Sequence, residues 1–177
     1  FKGDAQDLMW NNNWTVTGAD LVVDEFGTAN YAYDFVSWNS DKIELSDVWL
    51  TKSVLMRINL DTTTEEIFEW SANDKDLSVS SGTLAYPEWD DVYVDWVDTD
   101  TITDSAWKTI LLTSTTDVDC TALTIWLINA AYGDFKLSYF ATFTDDISAN
   151  ALQCHNLLTN WYPYPWTKRS NGNLQDW

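Results

Sequence analysis

Phe135-Lys136-Leu137-Ser138-Tyr139-Phe140-Ala141-Thr142-Phe143 decides the fold class. Its odd positions are Phe, Leu, Tyr, Ala and Phe while most even positions are polar, a period of two that fits a strand with one buried face. In Thr121-Ala122-Leu123-Thr124-Ile125-Trp126-Leu127-Ile128, apolar residues occupy both alternating sets. That strand is expected at the centre of a sheet, with little water on either side. Working outward, branched and aromatic runs predict further strands at Asp20–Val23, Asn30–Val36, Lys42–Leu45, Ser53–Leu60, Glu65–Trp70, Leu77–Ser80, Asp91–Val97 and Trp107–Thr113. Between them lie turn-forming stretches such as Glu25-Phe26-Gly27 and Ser71-Ala72-Asn73-Asp74. About ten short strands at such spacing predict an all-β fold, an antiparallel β-sandwich or half-open barrel. At most one or two short helices fit, the best around Ser148–Leu158, and a single domain over residues 1–177 is expected.

The chain has 177 residues, 45% of them hydrophobic, 12 tryptophans and a formal net charge of -19. Such apolar content offsets chain entropy, so the chain folds. Nine basic against 28 acidic residues oppose binding to nucleic acid and to anionic membranes, both of which need a concentrated cationic face. No apolar run reaches transmembrane length, and Phe1-Lys2-Gly3-Asp4 lacks the apolar stretch of a signal sequence, so a processed chain without membrane insertion is expected. Asp90, Asp91, Asp95, Asp98, Asp100 and Asp104 are dense enough to suit calcium. They do not form a D-x-D-x-D-G loop, so no residue is assigned to a metal.

Cys120 and Cys154 are even in number, and a disulfide between them would stabilise the fold by roughly 4 kcal/mol. Asn13-Trp14-Thr15 is an N-glycosylation acceptor. Together these point to a secreted, extracellular protein. Catalysis lacks a motif: no G-x-S-x-G, H-E-x-x-H or phosphate-binding glycine loop occurs. His155, the single histidine, directly follows Cys154, so the two side chains diverge, and a surface or capping role is expected for it. A non-enzymatic role follows.

The features run in a recognisable order: Trp14, Tyr33-Asp34, a charged-apolar strand ending at Asp47, then Val54-Leu55-Met56-Arg57-Ile58. After them come Val92-Tyr93-Val94-Asp95-Trp96, the Trp107 to Cys120 strand, Phe135 to Asp146 and the late Cys154. That order resembles the ependymin-related proteins. The chain departs from that family in lacking its additional cysteines and the prolines before the late cysteine. The resemblance implies a secreted two-sheet β fold with a deep apolar cavity, homodimers or hetero-oligomers with a related chain, and calcium affinity. In some marine invertebrate members it also implies a bound carotenoid.

The tryptophan excess meets that implication from another side. A polyene needs a flat apolar slot with a few donors at its ends, and indoles and phenols supply both. Burying about 400 Å² of polyene is worth on the order of 10 kcal/mol before association costs. An astaxanthin-like carotenoid is therefore the expected ligand, with Tyr31, Tyr33, Trp96, Trp107, Trp126, Tyr139 and Phe140 as its expected lining. The rival reading is a carbohydrate-binding β-sandwich that presents Trp and Tyr platforms to sugars. Burial separates them, because a sugar platform exposes its indoles beside Asp, Asn and Arg. A structural or storage protein, whose aromatics only hold an oligomer together, is the third.

Overall fold

A computed structural model describes residues 14–36, 39–45, 48, 50–71, 75–103, 105–121, 123–125, 134–156, 158 and 159. The described chain forms two antiparallel sheets stacked as an all-β sandwich, with one short helix. In chain order the strands are β1 (Thr15–Thr17), β2 (Asp20–Val22), β3 (Ala32–Phe35), β4 (Lys42–Glu44), β5 (Leu50–Leu60), β6 (Glu65–Ser71), β7 (Lys75–Ser80), β8 (Thr83–Ala85), β9 (Asp91–Val94), β10 (Val97–Asp98), β11 (Lys108–Asp119), β12 (Thr124–Ile125) and β13 (Phe135–Phe143). A 3₁₀ turn at Ser148–Asn150 leads into helix α1 (Ala151–Asn156), inside the stretch where the sequence predicts a helix. One sheet runs β1-β4-β12-β6-β7-β8 and the other β10-β9-β11-β5-β13-β3-β2. As expected, β12 is central, paired with β4 and β6 on either side.

The longest strands, β5, β11 and β13, lie side by side in the seven-stranded sheet. Period-two alternation sends Val54, Met56, Ile58 and Leu60 of β5 into the space between the sheets, where Ile110 and Leu112 of β11 join them. Phe35, Phe68, Trp70 and Phe135 are buried in the same layer. Leu55 and Leu111 point the other way, into a second apolar cluster with Ala151 and Leu158. The seven-stranded sheet is therefore covered on both faces, which explains why β5 is buried along nearly its whole length.

Three expectations need correction. First, the alternation of β13 is not continuous. The pairing with β5 shifts between Leu137 and Tyr139, leaving Ser138 as an extra residue in the strand. Phe135 and Leu137 face the core before that bulge and Phe140 after it, while Tyr139 and Phe143 join the outer cluster. Second, Asp91–Val97 is two strands rather than one, because Asp95 (φ 49°) and Trp96 (φ 66°) reverse the chain so that Val97 pairs with Val94. Third, Cys120 and Cys154 are free thiols. Cys120 belongs to the core between the sheets and Cys154 packs on the outer cluster, so the sheet itself separates them.

Candidate functional site

The register of the seven-stranded sheet builds a polar row across its outer face. Arg57 of β5 pairs with Thr109 of β11 on one side and Tyr139 of β13 on the other. The β9–β10 turn continues the row, since the Asp95 N–H donates to the Thr109 carbonyl at 2.9 Å. Side chains complete what the register begins. Arg57 Nε donates to Glu25 Oε2 at 2.9 Å and its Nη2 lies 2.7 Å from the same oxygen, while Nη1 donates to Thr109 Oγ1 at 3.1 Å. Asp95 Oδ1 accepts the Thr109 N–H at 3.0 Å and lies 3.5 Å from Arg57 Nη1, and its Oδ2 is 3.4 Å from Lys108 Nζ. Arg57 is only 8% exposed. Such a charge persists in the interior because two carboxylates and a hydroxyl take up its donors.

Helix α1 closes this row from above. The Ile147 N–H donates to Ser53 Oγ at 3.0 Å and that hydroxyl donates to the Asp145 carbonyl at 2.9 Å, fixing the chain after β13 onto the outer face. Helix α1 then places His155 with Nδ1 3.1 Å from Thr109 Oγ1 and 3.6 Å from Asp95 Oδ1. His155 is buried, not a surface residue as its sequence context predicts, because the strap presses it against the sheet. Burial pushes its pKa down; the Asp95 carboxylate opposes that and Arg57 reinforces it. Burial likewise raises the Glu25 carboxyl above its ordinary value even though Arg57 holds it.

Thr109, His155 and Asp95 are the residue types of a nucleophilic triad, but the geometry is different. Hydroxyl and carboxylate both meet Nδ1, whereas a proton relay engages the two ring nitrogens separately. Thr109 is also buried and already accepts from Arg57. The arrangement holds charge in place and pins a helix. Over it sits Trp96, its ring 4.1 Å from that of His155 and the residue 44% exposed.

A second feature lies in the core between the sheets, where the aromatic rings pack on one another. Phe35 stacks on Phe135 at 4.7 Å, and Phe68 contacts both Trp70 (5.5 Å) and Phe140 (5.7 Å). Trp70 and Trp89 meet edge to face at 5.8 Å. Their indole Nε1 atoms are buried with no hydrogen-bond acceptor among the described residues. Two such donors in one ring pair are unusual, because each unsatisfied buried polar group costs about 1–3 kcal/mol.

The described members of the expected ligand-lining set lie on both sides of the seven-stranded sheet. Tyr33 and Phe140 lie in the core between the sheets, Tyr139 and Trp96 on the outer face, and Tyr31 and Trp107 are half-buried beside strands β3 and β11. Alternation across a strand separates Tyr139 from its neighbour Phe140. Trp126 and the glycosylation candidate Asn13 lie outside the described residues. Arg57, Glu25 and Thr109 escaped the sequence reading. Arg57 is the one signal it offered, a cation at the middle of an otherwise apolar strand.

Of the dense aspartates, Asp90 is used locally: its Oδ2 accepts from both the N–H and the hydroxyl of Thr115, which holds its pKa below the ordinary value. Among the described residues no group of three or more His, Cys, Asp or Glu side chains is arranged to hold a metal ion. None of their helices is long and apolar enough to cross a membrane. No protein-family profile matches the chain, and no curated protein matches it at a significant level.

Proposed function

We propose that this chain is a secreted, non-enzymatic binding protein, related to the ependymin-like proteins, that holds a hydrophobic small molecule bearing oxygen acceptors. A keto-carotenoid of the astaxanthin type is the specific candidate. The observation that carries the reading is the pair of unsatisfied indole donors, Trp70 and Trp89, inside the aromatic layer between the sheets. An apolar guest with a carbonyl at its end supplies the missing acceptor without introducing charge, and the surrounding rings supply area at small entropy cost. The proposed lining keeps Tyr33 and Phe140 of the expected set and adds Trp70, Trp89 and half-buried Tyr86, with the two indoles at the guest's polar end. Homodimers, or hetero-oligomers with a related chain, and bound calcium accompany the proposal as properties of the family it resembles.

The absorption spectrum of the natively purified protein tests this directly. A visible band, lost on organic extraction and restored by adding astaxanthin to the extracted protein, is the expected result. Trp70→Phe should weaken astaxanthin retention by at least about tenfold, a single lost hydrogen bond to a buried acceptor. A colourless native protein that also fails to take up astaxanthin ends the proposal.

A further inference from the structure

The turn between β9 and β10 presents an unusual choice of residues. Val94 pairs with Val97, so Asp95 and Trp96 form a two-residue hairpin loop, and both have left-handed backbones with φ of 49° and 66°. Hairpins of this kind favour Asn or Asp followed by Gly, because glycine alone adopts the second position without steric cost. Asp95 fits that preference; Trp96 opposes it. A bulky residue in this region is a genuine outlier, and such strain gathers where a side chain is needed for something other than folding.

What holds the strained turn is visible. The Asp95 carboxylate accepts the Thr109 N–H and faces Arg57, Lys108 and His155, so the turn is tied to the sheet at one residue while the next projects outward. The indole meets the His155 ring in an edge contact, and the residue stays 44% exposed. Val97 beside it is 53% exposed. The charged groups beneath are matched, with Arg57 and Lys108 against Glu25 and Asp95 and a histidine whose pKa is lowered. A matched cluster within a chain of net charge -19 offers no attraction to an anion.

We infer that Trp96 is a stacking platform for a neutral sugar ring, held rigid by the Asp95 carboxylate over the Arg57–Thr109–His155 row. A pyranose fits because it combines an apolar C–H face, which lies on the indole, with a rim of hydroxyls, which meet the part-exposed Asp95 carboxylate. An aliphatic ligand would use the ring and gain nothing from that rim. This site is on the outer face of the seven-stranded sheet, independent of the donors between the sheets, so either proposal stands if the other fails.

The test is an NMR titration of the indole N–H signals with cellohexaose, chitohexaose and laminarihexaose, the Trp96 signal being identified by its absence in Trp96→Phe. The expected result is a saturable shift of the Trp96 signal with at least one of the three below about 10 mM, typical of a single aromatic contact. Trp96→Gly should weaken that binding at least about tenfold while leaving the thermal midpoint equal or higher, because glycine relieves the backbone. If none of the three sugars moves the Trp96 signal, the proposal is overturned. It is equally overturned if Trp96→Gly binds as well as the parent protein, or if it lowers the midpoint by several degrees, which would make the indole a structural cover for His155.

Discussion

Met56 and Arg57 are neighbours on β5, and the two faces they serve solve burial in opposite ways. Met56 enters a layer of rings and branched chains, where stability comes from area removed from water. Arg57 enters a face that also buries it but is built from matched charges, hydroxyls and a strapped helix. Apolar packing tolerates a void at a graded cost, whereas a buried ion does not tolerate losing its partner. The outer face is thus the more brittle of the two. It is also the face that carries Trp96, with its left-handed backbone and part-exposed indole.

The sharpest way to break this comparison is to truncate both residues. Met56→Ala should cost about 2–5 kcal/mol, measured by urea unfolding, and the loss should be indifferent to salt and nearly so to pH. Arg57→Ala should cost about 3–5 kcal/mol at neutral pH, since it leaves the Glu25 carboxylate buried without its cation. That cost should shrink on acidification as Glu25 takes a proton, and Arg57→Met with Glu25→Leu should recover most of it. Equal pH dependence for the two truncations would show that the outer face is ordinary core.

A smaller effect separates the two sheets. Glu66, on β6 of the six-stranded sheet, has its pKa raised from 4.5 to about 7, first by burial and then by the neighbouring Asp76 carboxyl. A carboxyl whose folded pKa lies above its unfolded one binds its proton more tightly when folded. Its contribution to stability is full below about pH 4.5 and is lost as pH rises through about 7. Glu66→Gln should therefore melt close to the parent protein at about pH 5 and a few degrees above it at about pH 8. A gap that stays constant across that range would rule out the raised Glu66 pKa. His155 works in the other direction: its lowered pKa means that stability is lost as pH falls below 6.5.

Much of the core was legible because its residues obey one period. The apolar sets of β5 and β11, the central place of β12 and the short helix after β13 all follow from alternation and turn chemistry. The candidate site was not legible, for reasons visible in particular residues. Ser138 adds one residue to β13 and so exchanges the faces of everything after it, which a strict odd-even reading places on the wrong side. Asp95 and Trp96 read as strand because Trp favours strands, while the left-handed turn they form runs against residue preference and is set by contacts with Thr109 and Arg57. Arg57 and Glu25 are 32 residues apart and meet only once β2, β3 and β5 have found their register. Local pattern carries no information about such a pair.

The two cysteines give the smallest expected effect and the cleanest check on the separation of faces. Removing a native disulfide from a small domain typically costs about 2–5 kcal/mol, whereas a half-buried thiol at the margin of a cluster changed to serine costs about 1 kcal/mol or less. With Cys154 on the outer face and Cys120 in the core, Cys154→Ser should fall in the second range, measured by urea unfolding without reductant. The thiols should also differ in reactivity. Burial pushes Cys120 up to about 12, so at mild alkaline pH it holds almost no thiolate, while Cys154 is raised but more accessible. A thiol-labelling reagent should modify Cys154 first and Cys120 only as the sandwich opens. Labelling of Cys120 at the faster rate would place it outside the layer that Met56 shares, and the contrast between the two faces would fail with it.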